Sequence, residues 1–535
     1  MKADATYISY NDTHSFSNLV IDYVHEEEHL KEFISEFPSK EAIGRQIARK
    51  KSQPVDRTIL TESLIRQYQG VEMPSEVRQH IDALQSENTF TICTAHQPNV
   101  FTGYLYFIYK IIHAINLAKE CKTLYPEYHF VPVYYMGSED NDIDEIGTFH
   151  YNETTYTWNT DQKGACGRMK THELKDMVQE INRTLNKDVA DEAFLMTLLE
   201  QAYDGEHTLA EATRIIVNAL FGQYGLVVID GDDVALKTVF KPVMRHELLF
   251  QDSQTMVTDT LSRLSVHYKV QANPRAINLF YLKENLRERI EWVDGIYQIV
   301  NTTITFSKEE MELEIEQHPE RFSPNVILRP LYQETILPDV AFIGGGGELA
   351  YWLELKTLFE KHQLVYPLIF LRNSVLWINE KTIASINKLS LPLESVFLSK
   401  EIIFKQLIHE TNTMKSLQAI IRDLDVNYDA IVSLGESVSP NLAHSMKAHK
   451  AKASRISDRI IQKFNAQLKT KEELTFKKIE QIKQQIAPNG HLQERHDNFL
   501  SIYKTTGLAM LDILSRHQQA FGKEFLVLKL QGESA

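Results

Sequence analysis

The sequence predicts an α/β protein, with a parallel-sheet core broken by two insertions and then a C-terminal α-helical coiled-coil domain. Three observations predict it. Short apolar runs ending in polar or glycine loops alternate with helix-spaced stripes over residues 1–380. Strand, helix and strand follow one another between Ile92 and Gly137, a βαβ unit whose default is a parallel sheet. Beyond about Lys381 glycine almost vanishes and Lys, Gln, Ile and Leu dominate. The expected boundaries are 1–380 for the core, with insertions at about 148–207 and about 265–325, and 381–535 for the helical domain.

Taken in order, the chain to about residue 88 reads as mixed helical material. "SENTFTICTAHQP" is a strand that ends in a loop holding His96, Gln97, Asn99 and Gly103. From Tyr104 to about Lys122, Leu105, Ile108, Ile112 and Ile115 recur at helical spacing, and Lys110, His113 and Asn116 mark the polar side. "HFVPVYYMG" is the second strand and runs straight into "SEDNDIDEI". Leu226 to Asp230 is the third, followed by a helix with an expected kink near Pro242. "VILRPLYQETILPDVAFIGGGGELAYWLELK" returns to the core after the second insertion, and "LVYPLIFLRNSVLWI" is the last core strand. Further on, Ile456, Ile460, Phe464, Ile479, Ile482 and Ile486 keep the three-and-four spacing of a packed seam. Pro488 and Gly490 interrupt it and a further long helix is expected, giving an antiparallel hairpin. A homodimer through this arm and a hairpin packed only on its own core are both open.

Composition bounds the function. The chain has 535 residues, 43% hydrophobic and 24% charged, as in ordinary globular proteins. A net charge of −15 argues against binding nucleic acid across the whole surface. No apolar h-region opens the sequence and no apolar run could span a bilayer as a helix, so neither secretion nor a membrane is expected. Cys93, Cys121 and Cys166 form no CxxC pair, which excludes a disulfide scaffold or a cysteine zinc site and fits a reducing cytoplasm.

Four pieces could carry chemistry. Ligands in open α/β sheets bind at the carboxyl ends of strands and against helix N-termini, where the His96 loop lies. That loop resembles a degenerate first signature of class I aminoacyl-tRNA synthetases, with Pro98 in place of a glycine. The alternative is a loop that only satisfies helix-end groups. In "SEDNDIDEI", Glu139, Asp140 and Asp142 are read as functional, and Asp144 and Glu145 as acids suited to a helix dipole. It is not a calcium loop, because the sixth position lacks glycine and Tyr151 stands at the twelfth. Gly344 to Gly347 before a helix suit an anion, or only a tight turn; Glu348 and Leu349 follow, so this is no P-loop. Arg329 and Arg372, beside apolar strands, could each clamp a substrate carboxylate or pair with an acidic loop.

Read together, "TAHQPNVFTGYLYFIYKIIHAI", "VPVYYMGSEDNDIDEI", the glycine block, "FLRNSV" and "PNGHLQERHDNF" resemble the blocks of the bacillithiol biosynthesis cysteine-adding enzymes, over nearly the whole chain. The resemblance implies a cytoplasmic ligase that joins L-cysteine to glucosaminyl malate by an amide bond, the last step of bacillithiol biosynthesis. It implies a Rossmann-like core similar to class I aminoacyl-tRNA synthetases and a coiled-coil domain that makes a homodimer. ATP, with magnesium, is the expected means of activation; no residue is expected to hold a resident metal. His96, Asn99, Tyr104, Ser138 and Asn141 depart from the family's usual blocks.

By that resemblance Asp140 and Asp142 hold or deprotonate the amine, with His96 as a third catalytic candidate. His96, Asn99 and the glycine loop, Gly345 and Gly346 included, hold phosphate or malyl oxygens. Arg329 and Arg372 bind malate carboxylates, and Glu334, Glu348, Tyr351 and Trp352 shape the sugar site. Gln97, Gly103, Glu139, Asn373 and Ser374 complete the expected binding set. A synthetase-like ligase or nucleotidyltransferase acting on another amine is the alternative. An inert scaffold is disfavoured, since it has no need of convergent polar loops.

Overall fold

Five parallel strands form the core sheet: β1 (Thr89–His96), β2 (His129–Met136), β3 (Val227–Asp230), β4 (Asp339–Gly344) and β5 (Leu368–Leu371). This is a computed structural model and describes residues 2–531. The spatial order is β5-β4-β1-β2-β3. Chain order therefore reverses between β1 and β4, the place where doubly wound sheets open a crevice at their carboxyl ends. β1 and β2 each bury every residue but one, as strands covered on both faces do.

The covering helices are α1 (Tyr106–Leu124), α2 (Leu209–Phe221), α3 (Val234–Phe250), α4 (Arg329–Ile336) and α5 (Gly346–Leu353). Thr208 and Glu211 start α2 with a capping box, and Asp233 caps α3 by accepting from the N–H groups of Ala235 and Leu236. The expected kink at Pro242 does not end α3, which runs through it. Arg329 opens α4 and does not flank a strand. The stretch read as the first insertion holds a hairpin (Thr148–Tyr151 and Thr154–Thr157) and two helices, Lys175–Asn182 and Ala190–Ala202. The second holds a five-stranded antiparallel sheet between Leu279 and Pro324.

On the polar side of α1, Lys110 and His113 are buried and Asn116 is half-buried. Lys110 Nζ donates to the Ala95 carbonyl at 2.8 Å, His113 Nε2 to that of Ala520 at 2.9 Å, and Asn116 to those of Ser515 and Gln518 at 2.9 Å each. These polar side chains receive the end of the chain. From Gln493 the chain belongs to the core unit, and Glu524–Gln531 is a strand paired antiparallel to Lys2–Ser9. "LVYPLIFLRNSVLWI" is likewise two strands, Leu368–Leu371 in the core sheet and Val375–Ile378 beside Glu524–Gln531.

The second compact unit comprises Ile378–Leu492 with Asp12–His14. Its long helices are α6 (Asn412–Val438), α7 (Pro440–Lys471) and α8 (Glu473–Ile486). The hairpin turns at Ser439, which caps α7, and not at Pro488 as the sequence suggests. Ion pairs Lys450–Asp429 at 2.6 Å and Lys447–Glu436 at 3.0 Å bridge the antiparallel α6 and α7. No long helix follows Pro488 among the described residues. The predicted seam divides: Ile479, Ile482 and Ile486 are buried, while Ile456, Ile460 and Phe464 are 57%, 37% and 41% exposed.

Candidate active site

The crevice between β1 and β4 is a cavity of about 680 Å³. His96, the last residue of β1, lines it. Its ring packs on Tyr106 and Phe107, with centroids 5.3 and 5.6 Å away. Burial, with Lys110 and Arg372 near, holds its pKa well below the usual imidazole range, so the ring is neutral. Its Nε2 is buried with no hydrogen-bond partner among the described residues. The loop beyond is unusual in its backbone: Phe101, Thr102 and Gly103 have φ of 51°, 65° and 67°. Asn498 pins it by donating to the carbonyl oxygens of Phe101, at 2.8 Å, and Gly103. A Cβ at Gly103 would come within 2.9 Å of that of Asn99. Gly103 thus serves the turn. Asn99 donates to the Glu145 carbonyl at 3.3 Å. Neither lines the cavity, contrary to expectation.

The acidic loop after β2 supplies Glu139, Asp140 and Glu145 to the cavity. Asp142 does not reach it. Its carboxylate accepts from the Glu145 N–H at 3.1 Å and caps the short helix Ile143–Ile146. Asp142 and Glu145 thus exchange the roles read from sequence. Burial, with Asp142 and Asp140 near, raises the Glu145 carboxyl. Gln97 Nε2 lies between Asp140 and Glu145, at 3.3 and 3.4 Å. Two departures from the family blocks have local partners: Ser138 hydrogen-bonds Asp230, and Asn141 accepts from Arg287 at 2.9 Å.

The third wall is the glycine run. Gly344 ends β4 and Gly345 caps α5, its N–H donating to Glu348 Oε2 at 2.8 Å. A Cβ at Gly344 would lie 2.9 Å from that of Glu348, and one at Gly346 would lie 2.8 Å from a Val20 methyl. Gly346 and Gly347 line the cavity at the start of α5, where backbone N–H groups have no intrahelical acceptor. Glu348 also pairs with Lys110. Burial lowers the Lys110 pKa, against the pull of that carboxylate.

The two expected arginines differ. Arg372 is closed: its guanidinium grips Glu494 bidentately at 2.9 and 2.7 Å, both groups being buried. It also donates to the Ser374 hydroxyl, and Ser374 and Asn373 serve that turn without lining the cavity. Arg329 is open. It donates only to neutral groups, Gln333 Oε1 at 2.9 Å and Tyr351 OH at 3.2 Å, and has no carboxylate within 4.0 Å among the described residues. The Tyr135 ring lies beneath it, at 5.3 Å. Arg287 of the inserted sheet lines the same cavity and also has no ion pair within 4.0 Å among the described residues; nothing in its local sequence marks it.

Two expected site residues lie elsewhere. Trp352 is fully buried against Phe342, 4.5 Å between ring centroids, because its face of α5 packs on β4. Glu334 is buried at the opposite edge of the sheet, 2.9 Å from Lys50 and near Asp339, the first residue of β4. The cavity therefore carries both signs of charge, with Arg329 and Lys110 among its cations, Asp140, Glu145 and Glu139 among its acids, and Arg287 beside the acidic loop. It suits a small molecule bearing both anionic and cationic groups.

Comparison with known proteins gives the same outline. Residues 3–373 match the family model "Bacillithiol biosynthesis BshC, N-terminal Rossmann-like domain", and 375–530 match its "C-terminal coiled-coil domain". A Flavobacterium psychrophilum protein named "Putative cysteine ligase BshC" is 39% identical, with 98% of this chain and 99% of the relative covered. Namesakes from Cytophaga hutchinsonii and Salinibacter ruber are 38% and 28% identical, with 92% and 94% of each chain covered.

Proposed function

The chain belongs to the bacillithiol biosynthesis BshC family of ligases, and from that premise we propose that it joins L-cysteine to the amine of glucosaminyl malate. One observation carries the reading: Arg329, with no carboxylate within 4.0 Å among the described residues, lines the same cavity as Asp140 and Glu145, which have no cation within 4.0 Å among them. Glucosaminyl malate offers the complement, malyl carboxylates at one end and a sugar ammonium at the other. Arg329 takes a malyl carboxylate. Asp140 holds the ammonium, and Glu145, whose carboxyl is raised, accepts its proton. The amine's lone pair would then attack the activated carboxyl carbon of cysteine, forming the amide C–N bond as the acyl C–O bond to the activating phosphate group breaks and that group leaves with the bonding electrons. His96 acts as a neutral hydrogen-bonding group and not as a proton carrier, because its pKa is so depressed.

ATP with magnesium would supply the activation. The Gly346 and Gly347 N–H groups, with Lys110 beside them, would hold a phosphate. No cluster of three or more His, Cys, Asp or Glu suited to a metal occurs among the described residues, so magnesium would arrive on the nucleotide. A second copy would cover Ile456, Ile460 and Phe464 of α7, giving a homodimer, and the enzyme would work in the cytoplasm. No described helix is long and apolar enough to cross a membrane.

The test incubates purified protein with L-cysteine, glucosaminyl malate, ATP and magnesium and reads products by mass spectrometry. The bacillithiol mass should form and should vanish without ATP. Product from a different amine, with none from glucosaminyl malate, would move the assignment to a ligase of that other amine.

A further inference from the structure

Behind the acidic wall lies a row of charged groups that the proposed chemistry does not yet use. Lys237, on the first turn of α3, is completely buried. Its Nζ lies 2.6 Å from Glu139 Oε1 and 3.0 Å from Asp232 Oδ1, and donates to the Glu320 carbonyl at 3.1 Å. Asp232 is gripped in turn by Arg168, from Nε at 2.5 Å and Nη2 at 2.7 Å. The row runs Glu139, Lys237, Asp232, Arg168, alternating in sign, and only its first member lines the cavity. Two cations and two carboxylates balance the row, and Lys237 is the member shared between both carboxylates.

We infer that Lys237 is a positioning residue: lodged between Glu139 and Asp232, it fixes the Glu139 carboxylate at the cavity wall as an acceptor for the substrate's ammonium group. The inference rests on the ligase reading above and adds a residue to it. A carboxyl this deeply buried would otherwise take up a proton and offer the ammonium nothing. Burial raises the Glu139 carboxyl and Lys237 opposes that rise. Burial works against the charge on Lys237 too, but Asp232 and Glu139 together hold its pKa above the usual lysine range. The other groups facing Glu139 are Arg287 from the inserted sheet, Arg168, and the hydroxyls of Tyr135 and Tyr332. Asp232 therefore acts as a tuner. It draws on the lysine's charge and keeps Glu139 from being locked wholly into an internal pair.

This arrangement makes two substitutions act with opposite sign. Lys237→Met removes the cation, so Glu139 should hold its proton to higher pH. Asp232→Asn leaves Lys237 to Glu139 alone, so Glu139 should lose its proton at lower pH. The experiment measures glucosaminyl malate binding by calorimetry from pH 5 to 9 for the wild-type chain and both variants, with thermal melts confirming that each is folded. In K237M the acid limb should move up by about one pH unit or more, about a tenfold loss of affinity on that limb, with affinity preserved at high pH. In D232N the limb should move down. Mere loosening of the wall would weaken binding in both variants at every pH. Unmoved limbs, or limbs moving in the same direction, would overturn the inference. Wild type that binds no glucosaminyl malate at any pH would instead overturn the substrate reading, and this inference with it.

Discussion

The two edges of the parallel sheet both bury charge, but they use it differently. At the amino ends of β1 and β4, Lys50 pairs with Glu334 at 2.9 Å, Gln333 donates to Asp339 at 3.0 Å, and Thr91 bonds Asp339. Each of these groups closes on another, and burial keeps the Glu334 carboxyl well above its usual range. At the carboxyl ends Arg329, Asp140 and Glu145 have no ion-pair partner within 4.0 Å among the described residues. Buried charge by itself does not mark a site, since structural networks bury it too. What distinguishes the cavity is charge that the protein does not neutralise with its own groups.

The largest effect that would sharpen this contrast lies at the closed edge. Lys50→Met strands two buried carboxyl groups and should cost about 3–5 kcal/mol of stability, read from denaturant unfolding, while the folded fraction binds substrate as before. A loss of affinity in that fraction would break the distinction between the edges.

Arg372 is the cavity-side charge that behaves like the closed edge. Glu494→Gln should therefore destabilise by about 2–3 kcal/mol, with substrate affinity changed far less than for Arg329 variants. If E494Q leaves stability alone but abolishes binding, Arg372 was open to substrate after all.

Glu354 tests the wall between the two. It accepts from the N–H groups of Gln271 and Ala272, which line the cavity, and burial raises its pKa to about 7. The folded protein thus holds this proton more tightly than the unfolded chain, whose ordinary value is 4.5. Its stabilising contribution is full below pH 4.5 and is lost as pH rises to about 7. Glu354→Gln removes the titration, so stability relative to wild type should rise over that interval by about 3 kcal/mol and then level off. A pH-independent difference would show that burial does not control this carboxyl.

The smallest effect is at the open acid. Among the described residues Asp140 accepts only from the N–H groups of Asn141 and Asp142 and from Gln97. Asp140→Asn should weaken substrate binding about tenfold and shift the melting temperature little. A large loss of stability would place Asp140 with the structural charges.

Much of this was open to reading along the chain. The parallel strands end where apolar runs stop, and the cavity sits at those ends because strand order reverses there. His96, Asp140, Arg329 and the glycine run follow from that placement and from the family resemblance. What stayed hidden depends on distant partners. Arg372 and Glu494 lie 122 positions apart, and Arg287 arrives on an inserted sheet. Asp142 and Glu145 differ only in how the chain enters a four-residue helix, which the spacing of acids does not reveal. The closing strand Glu524–Gln531 finds its place through pairing with Lys2–Ser9 and Val375–Ile378, so helical periodicity in the preceding arm gives no hint of it.

The most direct measurement is the affinity of the purified protein for glucosaminyl malate, by calorimetry, in wild type and in Arg329→Gln. Because Arg329 has no carboxylate of its own, affinity should fall about 10- to 100-fold while the unfolding midpoint stays within error of wild type. Unchanged affinity, or a loss of affinity matched by a loss of stability, would contradict the account.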